Sequence, residues 1–431
     1  MRTEQTVQGW RGTTLGNETR VRRGASPRPI DNPRWFSSDG PAWIRIADVT
    51  ASVGQLLRTT QRLSGEGAMR SVPVSPGQVI MSIAATVGRP IIVGIDACIH
   101  DGFVVFDRHP RLDPGFLVHH LRQMEPYFTG QGQTGTQANI NTQIVEASPL
   151  SLPPWAEQRA IAAVLDTIDD AIQKTEQIIA KLQQVKQGLL HDLLTRGIDD
   201  NGELRDPERH PEQFQDSPLG RIPKGWRVAR IGDIIESHQA GIYKDRSEYG
   251  EGSNIVGVAD LFRHDSLDGQ QFRLVRLTAS EQSEFRLEAG DLVYAESSLV
   301  LDGIAKTLAV TEAGAGTTFA WHTRRLRPNR KSVRGAFLAF ALGLPRTRAF
   351  VASRATQTAL TGIPVAAYFE TPVILPPVTE QDAISAMVMA LEHQIKAEFA
   401  HSDKVKALKR GLAHDLLTGR VRTTSLPEFA A

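Results

Sequence analysis

Leu152-Pro153-Pro154-Trp155-Ala156-Glu157-Gln158 opens a segment of 44 residues that occurs a second time, from Leu375-Pro376-Pro377-Val378-Thr379-Glu380-Gln381. Without a gap, the copies close on Gly188-Leu189-Leu190-His191-Asp192-Leu193-Leu194-Thr195 and Gly411-Leu412-Ala413-His414-Asp415-Leu416-Leu417-Thr418. About 18 of the 44 aligned positions are identical. A unit this long, used only twice, is not a solenoid. It predicts a pseudo-symmetric molecule suited to a two-part target.

Each copy reads as one long helix. Pro154 and Pro377 stand at the start, where a missing N–H costs nothing. Glu157 and Glu380 fall in the first turn, favoured by the helix dipole. Apolar residues then recur at spacings of three and four: Ile161, Leu165, Ile168, Ile172, Ile179, Leu182, Leu189 and Leu193 in the first copy, and Ile384, Val388, Leu391, Ile395, Val405, Leu412 and Leu416 in the second. With no internal proline, each helix extends to about 40 residues, or ~60 Å. That length and spacing predict a coiled coil. Its seam carries one irregularity, because Lys186 and Lys409 hold the expected apolar slot and Val185 and Leu408 lie one residue earlier, as in a local phase shift.

The repeat continues outside the helices. Gly9-Trp10-Arg11 matches Gly225-Trp226-Arg227, Ile46-Ala47-Asp48 matches Val258-Ala259-Asp260, Pro76-Gly77-Gln78-Val79-Ile80 matches Ala289-Gly290-Asp291-Leu292-Val293, and Thr136-Gln137 matches Thr356-Gln357. The offset drifts between 212 and 223, as it does when loops differ in length. Regions 9–150 and 225–373 are rich in Gly, Pro, Val and Ile. Runs 78–83, 91–95 and 291–295 read as strands, and 117–124 and 335–344 as short helices. The fold class is therefore α/β in the α+β sense. Boundaries fall at 1–151, 152–198 for the first helix, 199–224 for a polar linker, 225–374, 375–422 for the second helix, and 423–431 for a tail.

Bulk properties narrow the function. A chain of 431 residues exceeds one core. No apolar run reaches the ~18 residues of a membrane span, and the polar start Met1-Arg2-Thr3-Glu4-Gln5 lacks a signal core. The single Cys98 excludes a disulfide framework and a cysteine-based zinc site. These features predict a cytoplasmic protein. The net charge of +1 is not that of a DNA coater, although local patches steer polyanions regardless of the total. Arg20, Arg22 and Arg23 form one basic cluster, and Arg324, Arg325, Arg327, Arg330, Lys331 and Arg334 another; each reads first as a solvated loop.

Motifs of chemistry are missing from the sequence. It contains no phosphate-binding Gly-x-x-x-x-Gly-Lys-Ser/Thr loop and no Gly-x-Gly-x-x-Gly after a strand. Leu152-Pro153-Pro154-Trp155 lacks the polar first residue of an amino-methyltransferase Asn/Asp-Pro-Pro-aromatic run. His191-Asp192 and His414-Asp415 are too few to surround a metal, and a histidine near a helix C-terminus suits the dipole.

This arrangement resembles the specificity subunit of a type I restriction–modification system. The resemblance rests on the Leu-Pro-Pro-x-x-Glu-Gln openings, the Gly-Leu-x-His-Asp-Leu-Leu-Thr ends, Ser217-Pro218-Leu219-Gly220, and Ile222-Pro223-Lys224-Gly225-Trp226. Gly24-Ala25-Ser26-Pro27-Arg28, Trp35 and Trp43-Ile44-Arg45-Ile46-Ala47-Asp48 look like the start of a target recognition domain. The stretch Gln133 to Ile140 fits the usual loop before the helix, whereas Arg354 to Leu360 lacks its Asn-Ile pair. The resemblance implies two β-rich target recognition domains, each reading half of a bipartite site on double-stranded DNA. It implies that the two helices pair as an antiparallel coiled coil with pseudo-two-fold symmetry. It also implies two modification subunits, which are adenine methyltransferases using S-adenosylmethionine. Where the system restricts, two restriction subunits would use ATP and Mg. No cofactor, metal or catalytic residue is expected in this chain.

A spacer of this length can hold two modules one DNA turn, about 34 Å, apart. Side chains that read groove edges are Arg, Gln, Asn, Ser, Thr and Lys. Candidates are Arg28, Thr86, Arg89, Gln133, Thr134, Gln137 and Asn139 in the first domain, and Lys244, Ser297, Ser298, Lys306, Arg354, Thr356 and Gln357 in the second. Partner docking is expected at Leu152, Trp155, Glu157 and Gln158 and at their equivalents Val378, Glu380 and Gln381. Two rivals remain: a stand-alone DNA-binding scaffold or regulator, and a nuclease hidden in the variable regions.

Overall fold

The computed structural model describes residues 7–52, 54–131, 139–357 and 361–423. The chain forms two units. One contains the residues up to 177 together with those from 399 onward, and the other contains 178–398.

In the first unit a five-stranded sheet has the order Val21–Arg23, Phe103–Phe106, Val79–Ser82, Pro90–Val93, Gln55–Leu56. A four-stranded sheet, ordered Gln61–Arg62, Ala42–Ile44, Ala97–Ile99, Val72–Val74, covers one side of it. Alternation along the central strands explains the layering. Ile80, Phe103 and Val105 enter one core with Ile44 and Ile99. Val79, Met81, Val104 and Phe106 enter a second core with Phe116 and Leu121 of the helix Pro114–Gln123. Both faces are buried, so these strands read as continuous apolar runs rather than as alternation.

The second unit repeats the plan. Its four-stranded sheet runs Ile235–Ala240, Thr323–Pro328, Leu292–Ala295, Thr307–Ala309, the same order as the first four strands of the other unit. Leu292 and Tyr294 face Leu326, Phe337 and Leu338, while Val293 and Ala295 face Val256, Leu308 and Phe319. Gly77 and Gly290 precede the matching strands with φ of +85° and +87°. Asp48 and Asp260, which look like motif residues in the sequence, are caps; their carboxylates accept the N–H of Arg45 and of Gly257, each at 2.9 Å.

The long helices run Trp155–Thr195 and Val378–Leu417. Each begins just after its proline, whose carbonyl accepts the first helical N–H, that of Gln158 or Gln381. Each unit contains part of both helices. In the first unit Asp169 pairs with Lys409 and Glu176 with Lys406, so one helix rises in number as the other falls. Ile161 and Leu165 share a core with Leu416 and Leu417. In the second unit Lys186 meets Glu392 at 2.7 Å, and Leu193 and Leu194 share a core with Ile384 and Val388. Asp169 and Glu392 are equivalent positions of the repeat, as are Lys186 and Lys409. The apparent seam defect is thus one interhelical ion pair made twice. It turns Val185 and Leu408 outward, 49% and 65% exposed.

Candidate nucleic-acid interface

The start of each helix is a clamp. In the first unit Glu157 accepts the indole N–H of Trp10 at 3.0 Å and the Arg422 guanidinium at 2.7 and 2.9 Å. In the second, Glu380 accepts the indole N–H of Trp226 at 2.9 Å, Arg205 at 2.6 Å and the Ile198 N–H at 2.9 Å. Gln158 accepts the Asp113 N–H and donates to Arg111 O and Pro153 O. Gln381 accepts the Arg334 N–H and donates to Ser332 O and Pro376 O. Asp113 and Arg334 are the N-cap residues of the helices Pro114–Gln123 and Gly335–Leu342. The Glu-Gln pair therefore locks helix, tryptophan and recognition-domain helix together. Gly197 closes the first helix with φ +64°, and a Cβ there would lie 2.3–2.5 Å from Glu380, Trp226 and Arg205, so both the turn and the clamp require glycine.

These contacts correct the expectation of a docking surface at the helix starts. Leu152, Glu157, Gln158 and Gln381 are buried and Glu380 nearly so. All of them are engaged inside their own unit, and Leu152 pairs with Arg11 in a two-stranded sheet. Trp155 remains exposed and Val378 half-buried.

Among the recognition candidates of the first unit, Arg28 and Asn139 line one cleft of about 540 Å³ together with Arg23, His100, Asp101 and Asn141. Arg28 is paired with Asp101 at 2.5 Å, and burial together with the neighbouring arginines lowers the pKa of His100 despite that carboxylate. Asn139 bridges to Ala84 of the loop between Val79–Ser82 and Pro90–Val93. Thr86 is exposed on this loop, beside Ala85 in a left-handed conformation of φ +60°. Arg89 turns away into a different cleft lined by Asp166, Asp169 and Asp170, an unfavourable place for phosphate. Gln133, Thr134 and Gln137 lie outside the described residues.

In the second unit, Ser297–Ser298 pairs with Thr361–Gly362, which pairs with Thr356–Gln357, so these candidates share one small sheet. Thr356 is exposed; Ser298 is buried with its hydroxyl accepting the Val300 N–H. Lys244 sits between Glu248 and Glu281 at 3.1 and 3.0 Å, and those carboxylates raise its pKa. Lys306 lines an apolar pocket beside Lys186 and Glu392 instead of a groove-facing loop. Arg354 is exposed with its guanidinium over the Phe350 ring. The arginine cluster from 324 is not a loop. Arg324 and Arg327 lie on a strand, bound to Glu296 and Asp291, and Arg334 reaches Asp382. Sequence reasoning singled out Arg23 only as part of a basic cluster and passed over His100 and Asn141, because their grouping with Arg28 and Asn139 is tertiary.

Among the described residues, His119, Asp166 and Asp169 approach one another closely enough to suggest a metal site. The group is already compensated. Asp166 bonds His119 at 2.8 Å, and Asp169 meets Arg122 at 3.0 Å and Lys409. His414 contacts Gln123 and Asp415 contacts Arg420, so this His-Asp pair bonds side chains of its own unit.

A family profile described as the type I restriction modification DNA specificity domain matches residues 39–184. The MjaVIII specificity subunit of Methanocaldococcus jannaschii, a type I restriction enzyme component, is 22% identical over 73% of this chain and 72% of its own length. The StySPI specificity subunit of Salmonella potsdam is 22% identical over 78% of this chain and 70% of its own. The crystal structure of a type I system S subunit from M. genitalium aligns over 97% of this chain and 98% of its own, with a TM-score of 0.56 at 12% identity. The chain is thus similar, over most of its length, to type I DNA specificity subunits. A second solved chain, from work on complex assembly and conformational transition of the type I R-M system, aligns over 97% of this chain and 100% of its own length, with a TM-score of 0.57 and 19% identity. The chain thus shares the fold of these solved chains. Among its described residues, no helix is long and apolar enough to cross a membrane.

Proposed function

We propose that this chain is a type I specificity subunit that reads an asymmetric, bipartite site on double-stranded DNA and directs adenine methylation, and restriction where present, by partner subunits. One observation carries the reading: the joints repeat and the reading surfaces do not. The clamp, the glutamine lock and the lysine–carboxylate pair recur in both units. The Arg28–Asn139 cleft and the Ser297–Thr356 sheet have different side chains. Similar frames with unlike surfaces suit unlike half-sites. The chain does no chemistry in this reading; S-adenosylmethionine belongs to the modification subunits, and ATP with Mg to restriction subunits. The complex would work in the cytoplasm, where the DNA is.

Two modification subunits would dock on the helices. Gly188 and Gly411 are equivalent, and a Cβ at either would meet nothing within 4 Å. Glycine within an exposed helix costs about 1 kcal/mol relative to alanine, and no intramolecular contact explains it. Three residues earlier, on the same face, stand the exposed Val185 and Leu408. A bare backbone beside an apolar side chain, present twice, favours close approach by two copies of one partner. The experiment is co-purification with the modification subunit, together with methylome sequencing of the host with and without this gene. The expected result is a two-to-one complex and an interrupted, asymmetric adenine motif that vanishes with the gene. A symmetric motif, or methylation unchanged by deletion, would overturn the reading.

A further inference from the structure

One exposed cluster of the second unit is unused by the contacts above. Tyr243 and Trp321 are 62% and 52% exposed, yet their rings pack edge to face with centroids 5.0 Å apart. Trp321 also stacks on His322, at 4.3 Å and 19° between planes. This ledge is anchored from below. The Trp321 N–H donates to Ile242 O at 2.8 Å, and Ile242 bridges to Ala320. His322 adopts φ +67°, a left-handed conformation that non-glycine residues hold only when their surroundings enforce it. Two contacts enforce it here: Ser297 Oγ lies 3.0 Å from His322 Nδ1, and the His322 carbonyl accepts the Glu296 N–H at 2.9 Å.

Strand register shows what stands here in the other unit. Phe103 pairs with Ser82 as Thr323 pairs with Ala295, so Asp101 and Gly102 occupy the places of Trp321 and His322. The aromatic ledge is therefore confined to one unit. A surface for two copies of one partner must occur twice, whereas a surface that reads one of two unlike half-sites must occur once. The ledge also adjoins the candidate sheet through Ser297, whose strand pairs with Thr361–Gly362 beside Thr356–Gln357.

We propose that the Tyr243–Trp321–His322 ledge is a specificity element for the second half-site, its indole packing on a thymine methyl in the major groove. A flat apolar face can tell thymine from the other bases because only thymine presents a methyl there. The histidine sets the tilt of the indole and Ser297 holds the histidine. The proposal rests on the bipartite reading above.

The test uses the full complex with the modification subunit, and duplexes carrying the motif read from the host methylome. Trp321→Ala should weaken specific binding by about 10-fold, the size of one lost aromatic contact with a base. It should leave the salt dependence unchanged, because no phosphate contact is removed. Replacing single thymines by uracil should weaken the wild type about 4-fold at one position of the second half-site, the value of one buried methyl. Trp321→Ala should be insensitive to that replacement, and Trp321→Phe should restore part of it. Full affinity in Trp321→Ala, or an unchanged uracil profile, would overturn the proposal while leaving the bipartite reading intact. Failure of Trp321→Ala to join the modification subunit would make the ledge a protein contact and overturn it too. A wild-type complex with no site preference would overturn the bipartite reading, and the ledge with it.

Discussion

Replacing Glu380 by alanine should cost the second unit about 5 kcal/mol. The carboxylate holds three donors: the indole of Trp226 at 2.9 Å, Arg205 at 2.6 Å and the Ile198 N–H at 2.9 Å. Trp226 is 3% exposed, and the Arg205 side chain only 16%. Orphaning one partner of such a pair costs about 3–5 kcal/mol, and each stranded neutral donor adds ~1–3 kcal/mol. Partial hydration of the guanidinium keeps the total near the lower sum. Glu380→Gln keeps an oxygen but no charge, so roughly half of the loss is expected. Adding Arg205→Ala to Glu380→Ala should recover about 2 kcal/mol, since the buried cation is then gone. Urea denaturation of the full chain, with hydrogen exchange at the Ile198 amide, measures both effects. A loss under ~1 kcal/mol for Glu380→Ala, or a double variant no more stable than the single, would refute the clamp as the closure of this unit.

Acid should loosen the first unit before its carboxylates titrate. Burial pushes His120 down to about 4, while its ring donates to Pro149 O at 3.1 Å. The folded value lies below the unfolded one, so the stability is complete above about pH 6.5 and is lost as pH falls toward 4, at up to ~1.4 kcal/mol per pH unit. His100, also lowered by burial, adds to the same slope. Denaturation at pH 7.5, 6 and 5 should therefore show a shallower decline for His120→Gln than for wild type, and parallel declines would exclude this role. Gly188→Ala and Gly411→Ala should each stabilise the free chain by about 1 kcal/mol yet weaken capture of the modification subunit at least several-fold. Calorimetry of the chain and titration of the complex separate the two effects, and unchanged affinity in both variants would remove the helix face from the docking surface.

The long helices were legible because their signals are local: a proline, an acidic first turn and apolar spacing. The repeated strands were legible as short apolar runs, since burial on both faces leaves that trace. The seam lysines were harder. Lys186 and Lys409 look like a phase slip until Glu392 and Asp169 stand opposite them. Glu157 and Gln158 were visible as special but not as internal, because Trp10 and Arg422 lie 147 and 265 positions from Glu157. No local pattern reports a contact at that separation. The grouping of the recognition candidates was legible only in part. Arg28 and Asn139 do share a cleft, whereas Arg89 and Lys306 turn toward other pockets. Ser298 is buried. A side chain's type can be read along a loop, but its direction depends on the strands that carry it.

The division of the chain also sets an order of assembly. Residues 178–398 form a contiguous unit, but the other unit draws on residues from 399 onward as well as those up to 177. Arg422, which completes the Glu157 clamp, emerges from the ribosome long after its partner. At about 5–20 residues per second, the earlier-made domain waits tens of seconds with Leu416 and Leu417 missing from its core. The later-made domain can close almost as soon as it is synthesised. An interrupted message would then release chains able to form one reading domain but not the other, and the unfinished one is the domain made first.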